Sequence, residues 1–128
     1  MTLVLDTGGI SALAGRRARL AELRKRDLWP PIVPSVVLAE ALTGDHRRDH
    51  PTNRLLRMCV INAVDEELAR EAGRLRTATG RAGEIAATDA IVAAQAARLH
   101  EPNIVTSDPS DIASLITHCN TAIAITPT

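Results

Sequence analysis

Aromatic side chains are almost missing from this sequence: it has no Tyr and no Phe, and Trp29 is the one aromatic residue among 128. The interior must therefore be filled by Leu, Ile, Val and Ala, which favours close helix packing, and platforms on which single-stranded bases could stack are nearly absent. Lysine is as scarce, with Lys25 the only one among 15 basic residues. Cys59 and Cys119 stand alone, without a second ligand at short spacing, which argues against a zinc site or a disulfide framework and agrees with a reducing cytoplasm. No stretch approaches about eighteen uninterrupted apolar residues, and Met1–Asp6 lacks the basic region and long apolar run of a signal peptide, so neither membrane insertion nor export is expected.

An excess of either charge is missing too. The net charge is zero, from 15 basic and 15 acidic residues, and by itself this argues against binding a polyanion, which normally leaves a basic surplus. The distribution tempers that objection. Six of the basic residues fall between Arg16 and Arg26, and Arg suits bidentate phosphate contacts better than Lys. The same run also reads as one solvated helix face.

What is present is the composition of a folded protein, 45% hydrophobic and 23% charged, unlike the polar and highly charged mixture of a disordered chain. The length suits one domain over residues 1–128, and no repeat, linker or low-complexity segment divides it. Thr2–Leu5 reads as a buried strand that runs into a turn at Asp6, Thr7, Gly8 and Gly9, with helix beginning at Ile10–Ala14. Arg17–Asp27, with Leu20 and Leu23 on one face, reads as an amphipathic helix ended by Pro30 and Pro31. Ile32–Val33 form a second strand, and Ser35 is expected to cap a helix over Val36–Thr43. Next come a short helix over Thr52–Met58, a strand over Val60–Val64 and a helix over Asp65–Thr79. After a loop at Gly80–Gly83, Thr88 is expected to cap a buried helix over Asp89–Leu99. Ile104–Val105 and Ala122–Ile125 complete the strands, with only the last residues frayed. Short apolar strands alternating with helices call for an α/β fold: three layers, α/β/α, around a central parallel sheet of four to five short strands.

That architecture gathers the acids. Ligands of open α/β sheets bind outside the carboxyl ends of the strands, and the connecting helices start at the same edge. Asp6 ends the first strand, Asp108 ends the fourth, and Asp89 lies in the first turn of the helix before it. Glu40, three residues from Val37 and four from Val36, is expected on the inward side of its helix. Each acid also has an ordinary explanation. Asp6 can cap the helix after it, Asp89 can complement a helix dipole, Asp108 can open a type I turn in Asp-Pro-Ser-Asp, and Asp111 can cap a helix after that turn. Together they ask for more, because two carboxylates about 4 Å apart repel by roughly 4 kcal/mol at an effective dielectric near 20. A cluster of three or four needs a cation or shared protons. With only hard oxygen donors the fitting ions are Mg²⁺ and Mn²⁺, whose chemistry suits phosphodiester cleavage.

The residues resemble a PIN domain, and within it the VapC-type toxins of VapBC toxin–antitoxin systems. The resemblance covers essentially the whole chain and rests on LVLDTGGISAL at 3–13, SVVLAEALTG at 35–44, TDAIVAAQA at 88–96 and IVTSDPSDIASL at 104–115. It implies an endoribonuclease that requires Mg²⁺ or Mn²⁺, is made beside a VapB-type antitoxin covering its site, and works as a homodimer or in a hetero-oligomer with that partner. Asp6, Glu40 and Asp89 match the family's first three acids. Both Asp108 and Asp111 fall where the fourth is found, and Asp108 is preferred. Thr106 matches a hydroxyl position beside the metal-bound water. Gly8 and Gly9 depart from the pattern, since bulkier residues usually come after the first acid. The resemblance also suggests an antitoxin helix against Leu20, Leu23, Trp29 and Leu42, residues that could equally close the protein's own core.

Other phosphate chemistries fit less well. A receiver domain needs a Lys near its last strand, and Lys25 lies early; a haloacid-dehalogenase-like phosphatase wants an acid two residues after Asp6, where Gly8 stands. A degenerate PIN-like domain that binds RNA or protein without cutting is the alternative, and the intact set of acids speaks against it.

Overall fold

The computed structural model describes all 128 residues. The elements in order are β1 (Thr2–Leu5), α1 (Thr7–Leu13), α2 (Arg17–Lys25), β2 (Ile32–Pro34), α3 (Val37–Ala41), α4 (His50–Leu56), β3 (Val60–Asn62), α5 (Glu66–Ala78), α6 (Ala87–Ala96), β4 (Pro102–Thr106), α7 (Pro109–Ile116) and β5 (Ala124–Pro127). Five strands form one parallel sheet in the order β3-β2-β1-β4-β5. Strand order reverses at β1, where Val4 stands opposite Ile32 of β2 and Ile104 of β4. Crossovers of one hand that step in opposite directions along a sheet cover opposite faces. Accordingly α1 packs with α3 and α4, while α5, α6 and α7 pack with one another.

The three central strands are mostly apolar because both faces are covered. Leu3, Val4, Leu5, Val33, Ile104 and Val105 are buried there, and Leu68, Ala72 and Leu75 of α5 present one face to the same core. Helix α6 is buried nearly all round through Ala90, Val92, Ala93, Ala94 and Ala96, the close alanine packing expected where rings are absent. Trp29, Leu23 and Leu42 are half-buried against this core, so they close the protein's own interior. No helix is long and apolar enough to cross a membrane, and Cys59 and Cys119 are free thiols.

Several local expectations are corrected. Helix α1 starts at Thr7, so Gly8 and Gly9 are helical, with the Asp6 carboxylate accepting from the Gly9 amide at 2.7 Å. Ser35 does not cap α3: its hydroxyl accepts from the Val64 amide instead, and tertiary pairing has taken the local cap. Thr88 lies inside α6, which begins without a side-chain cap after Ala86. Asp111 is not a cap but sits in the first turn of α7, and Asp108 precedes that helix without a capping bond. β5 reaches Pro127, and the Thr128 amide donates to the Thr106 carbonyl, so the last residues are tied down rather than frayed.

One structural acid was not singled out in the sequence. Asp49 is buried, and its carboxylate accepts from the Thr43 amide and hydroxyl and from the Gly44 amide, fixing the turn between α3 and α4. Those donors, led by the Thr43 amide, hold its pKa below the ordinary carboxylate value. A depressed pKa contributes stability that is present above the unfolded value of 3.8 and is lost as the pH falls through the folded value. Asp49→Ala is therefore expected to lower the melting temperature by about 5 °C at neutral pH. The gap from wild type should narrow below pH 3.8. A gap that widens there on thermal melts would reject this role.

Candidate active site

The crevice at the carboxyl ends of β1 and β4 is assembled by a close approach of backbones. A Cβ on Gly9 would collide with the Val105 carbonyl oxygen, and one on Gly8 with the Ser107 side chain, so only glycine lets the first turn of α1 lie against the end of β4. The Asp6 amide reaches the Val105 carbonyl across the same seam. This accounts for the two glycines that depart from the family pattern: they bring the residue after β1 beside the residues after β4.

Asp6 is 4% exposed and Thr106 is fully buried. Burial raises the Asp6 pKa and the Asp108 charge adds to this, while the Thr106 hydroxyl and the Gly9 and Gly8 amides pull it down. The Thr106 hydroxyl also accepts from the Asp108 amide at 2.9 Å, so one side chain ties the first acid to the backbone of the last. Asp89, on the first turn of α6, is 8% exposed. Its pKa is pushed up to about 6, by burial first and then by the charges of Asp108, Asp6, Asp111 and Glu40. Every one of these influences raises it, so no donor or cation compensates the Asp89 charge.

The expectation for Glu40 is corrected. Its side chain is exposed, not inward, because the short α3 turns Val37, Leu38 and Ala41 to the core instead. It still belongs to the crevice: its Oε1 accepts from the Thr7 hydroxyl at 3.4 Å, and its charge bears on Asp89. Asp108 is exposed and free of any ion pair, whereas Asp111 is bound by Arg81, Nη2 to Oδ1 at 3.1 Å. Asp6, Asp89 and Asp108 thus act on one another, Glu40 stands at their rim, and Asp111, whose charge also bears on Asp89, is paired with Arg81. Sequence reasoning missed Arg81, which carries no periodic or motif signal of its own, and gave Thr7, inside the motif at 3–13, no role beyond a turn.

As the side chains stand, no three acids close tightly enough around one point to hold an ion by themselves. The donor chemistry nevertheless fits a hard divalent ion. The donors are oxygens alone, none of the protein's ion pairs involves Asp6, Asp89, Asp108 or Glu40, and Mg²⁺ characteristically takes only one or two carboxylates and keeps several waters.

Comparison with known proteins identifies the family and the fold. The PIN domain family profile matches residues 3–114. DNA-bound VapBC from Salmonella typhimurium contains a chain of similar fold, with a TM-score of 0.72 at 16% identity over 99% of this chain and 98% of that one. DNA-bound VapBC2 from Rickettsia felis gives 0.70 at 18% over 100% and 99%, and FitAcB from Neisseria gonorrhoeae gives 0.64 at 22% over 96% and 95%. Comparison with curated protein sequences returned no match.

Proposed function

The chain belongs to the PIN domain family, and from that premise we propose that it is a metal-dependent endoribonuclease, one nuclease domain over residues 1–128, serving in the cytoplasm as the toxin of a toxin–antitoxin pair. What carries the reading is the meeting of Asp6, Asp89 and Asp108 at the point where strand order reverses, two of them buried and none paired with a cation. The likeness in fold to VapBC chains supports the VapC-type assignment.

In this reading Asp6 and Asp89 hold Mg²⁺ or Mn²⁺, and Glu40 and Asp108 complete the set or hold a second ion. When bound, such an ion polarises phosphodiester oxygens, makes a water acidic enough to attack and steadies the leaving oxygen. Thr106 favours the charged form of Asp6. RNA contacts come from Arg side chains and backbone amides, because aromatic platforms are missing.

The antitoxin has a groove to fill, of about 630 Å³ between α2 and α4. Leu20, Leu55 and Met58 line it with Arg17, Arg24 and Arg54, and no acid does. An apolar helix edged with Asp or Glu is complementary to it. Of the four residues suggested for this contact by the sequence, only Leu20 lines the groove.

The test is to incubate partner-free protein with RNA in Mn²⁺ or in EDTA, beside Asp6→Asn. Cleavage is expected in Mn²⁺ alone and should disappear in Asp6→Asn. Cleavage that persists in EDTA, or in a folded Asp6→Asn preparation, would discard the proposal.

A further inference from the structure

Two aspartates, Asp108 and Asp111, stand three residues apart at the start of α7, and one guanidinium distinguishes them. Arg81, in the loop between α5 and α6, is anchored at three points. Its Nε donates to Glu84 at 2.9 Å, its Nη1 to the Ser114 hydroxyl at 3.0 Å and its Nη2 to Asp111 at 3.1 Å. The Arg81 side chain is 38% exposed and that of Asp111 27%, so this pair is more enclosed than the other ion pairs of the protein. A planar fork held on three sides cannot follow a carboxylate that swings away.

We propose that Arg81 is a positioning residue: it holds Asp111 in an ion pair at the edge of the acid cluster, leaves Asp108 as the fourth acid open to a divalent ion, and clamps α7 to the loop that leads into the helix of Asp89. The assignment rests on the divalent-ion reading of the crevice. The Asp108 carboxylate makes no ion pair, and its charge bears on both Asp6 and Asp89, on Asp89 more strongly than that of Asp111 does. Without Arg81, Asp111 would be a second free carboxylate within electrostatic reach of Asp89. Arg81 thereby limits the negative charge of the crevice and decides which face of the α7 turn supplies a ligand.

The test is Mn²⁺ binding to the intact, partner-free chain, measured by calorimetry and by the Mn²⁺ electron spin resonance signal, with no RNA present. Asp108→Asn is expected to weaken binding by about tenfold or more, while Asp111→Asn stays within about twofold. Arg81→Gln should tighten binding by up to about tenfold through the released carboxylate, and adding Asp111→Asn to it should reverse the gain. A merely structural Arg81 would lower the melting temperature without making Mn²⁺ affinity depend on Asp111. If Arg81→Gln does not fold, the two Asp→Asn variants decide alone: equal weakening by both overturns the assignment while leaving the metal reading intact. Failure of the wild-type chain to bind Mn²⁺ overturns both.

Discussion

Asp89→Asn is expected to reduce Mn²⁺-dependent RNA cleavage by at least about 100-fold and, in the same preparation, to raise the melting temperature of the metal-free protein at pH 8. The two effects have one origin. Asp89 is buried among like charges with its pKa at about 6, against 3.8 for an ordinary Asp. An acid whose folded pKa is raised penalises the folded state as it ionises. The penalty is absent below the unfolded value, grows as the pH rises from 3.8 to about 6, and is complete above that. Solvent at the mouth of the crevice screens part of it, so the penalty at neutral pH is on the order of 1–2 kcal/mol, or about 5 °C. Asn keeps the shape and loses the charge. The wild type should therefore gain more stability from Mn²⁺ at pH 8 than at pH 5, and the variant should gain little at either. Unchanged cleavage by Asp89→Asn, or a metal-free melting temperature below wild type at pH 8, would refute this account of the crevice.

Gly9→Ala is expected to be strongly destabilising although it adds a single methyl group. The new Cβ would collide with the Val105 carbonyl oxygen, which belongs to the central strand beside β1 and cannot yield as a side-chain end would. Relief requires α1 to lift from β4, at a cost of about 3 kcal/mol or roughly 10 °C in melting temperature. The same lift draws the Gly9 amide from the Asp6 carboxylate it now meets at 2.7 Å. A misplacement of about 1 Å at a catalytic group can cost about 100-fold in rate, so cleavage should fall even at temperatures where the variant is folded. Gly73→Ala is the control. Nothing lies within 4 Å of its added Cβ, in the middle of α5, and it should stabilise by up to about 1 kcal/mol through helix propensity. Equal melting temperatures for the two variants would show that the seam between α1 and β4 is soft enough to absorb a methyl group.

The two experiments separate charge from shape. Asp89 tests whether the crevice is assembled at an electrostatic cost that a cation offsets. Gly9 tests whether the glycine pair exists to close the distance between β1 and β4. Both bear on the same geometry, because the acid after one strand becomes useful only when the strand beside it is near.

Much of this was legible in the sequence. Leu3, Val4, Leu5, Ile104 and Val105 announce buried parallel strands through uninterrupted apolar character, and the alternation of such runs with helical periods implies the layered architecture that is found. Once strands are parallel, residues just beyond their carboxyl ends share an edge, which is why Asp6, Asp89 and Asp108 could be grouped from separated stretches of chain. What remained hidden depends on which partner wins when several are available. Ser35 looks like a cap from its neighbours, but the Val64 amide, 29 residues away, takes its hydroxyl. Glu40 has inward spacing, but α3 turns Val37, Leu38 and Ala41 to the core and leaves Glu40 exposed. Gly8 and Gly9 read as a turn, and only the nearness of Val105 and Ser107 shows why no side chain fits. Asp108 and Asp111 are the same chemistry in one turn, and Arg81, brought across from another loop, tells them apart. Period and polarity are local properties that a sequence carries openly; the choice among competing contacts is made by distances between segments, and these exist only in the folded chain.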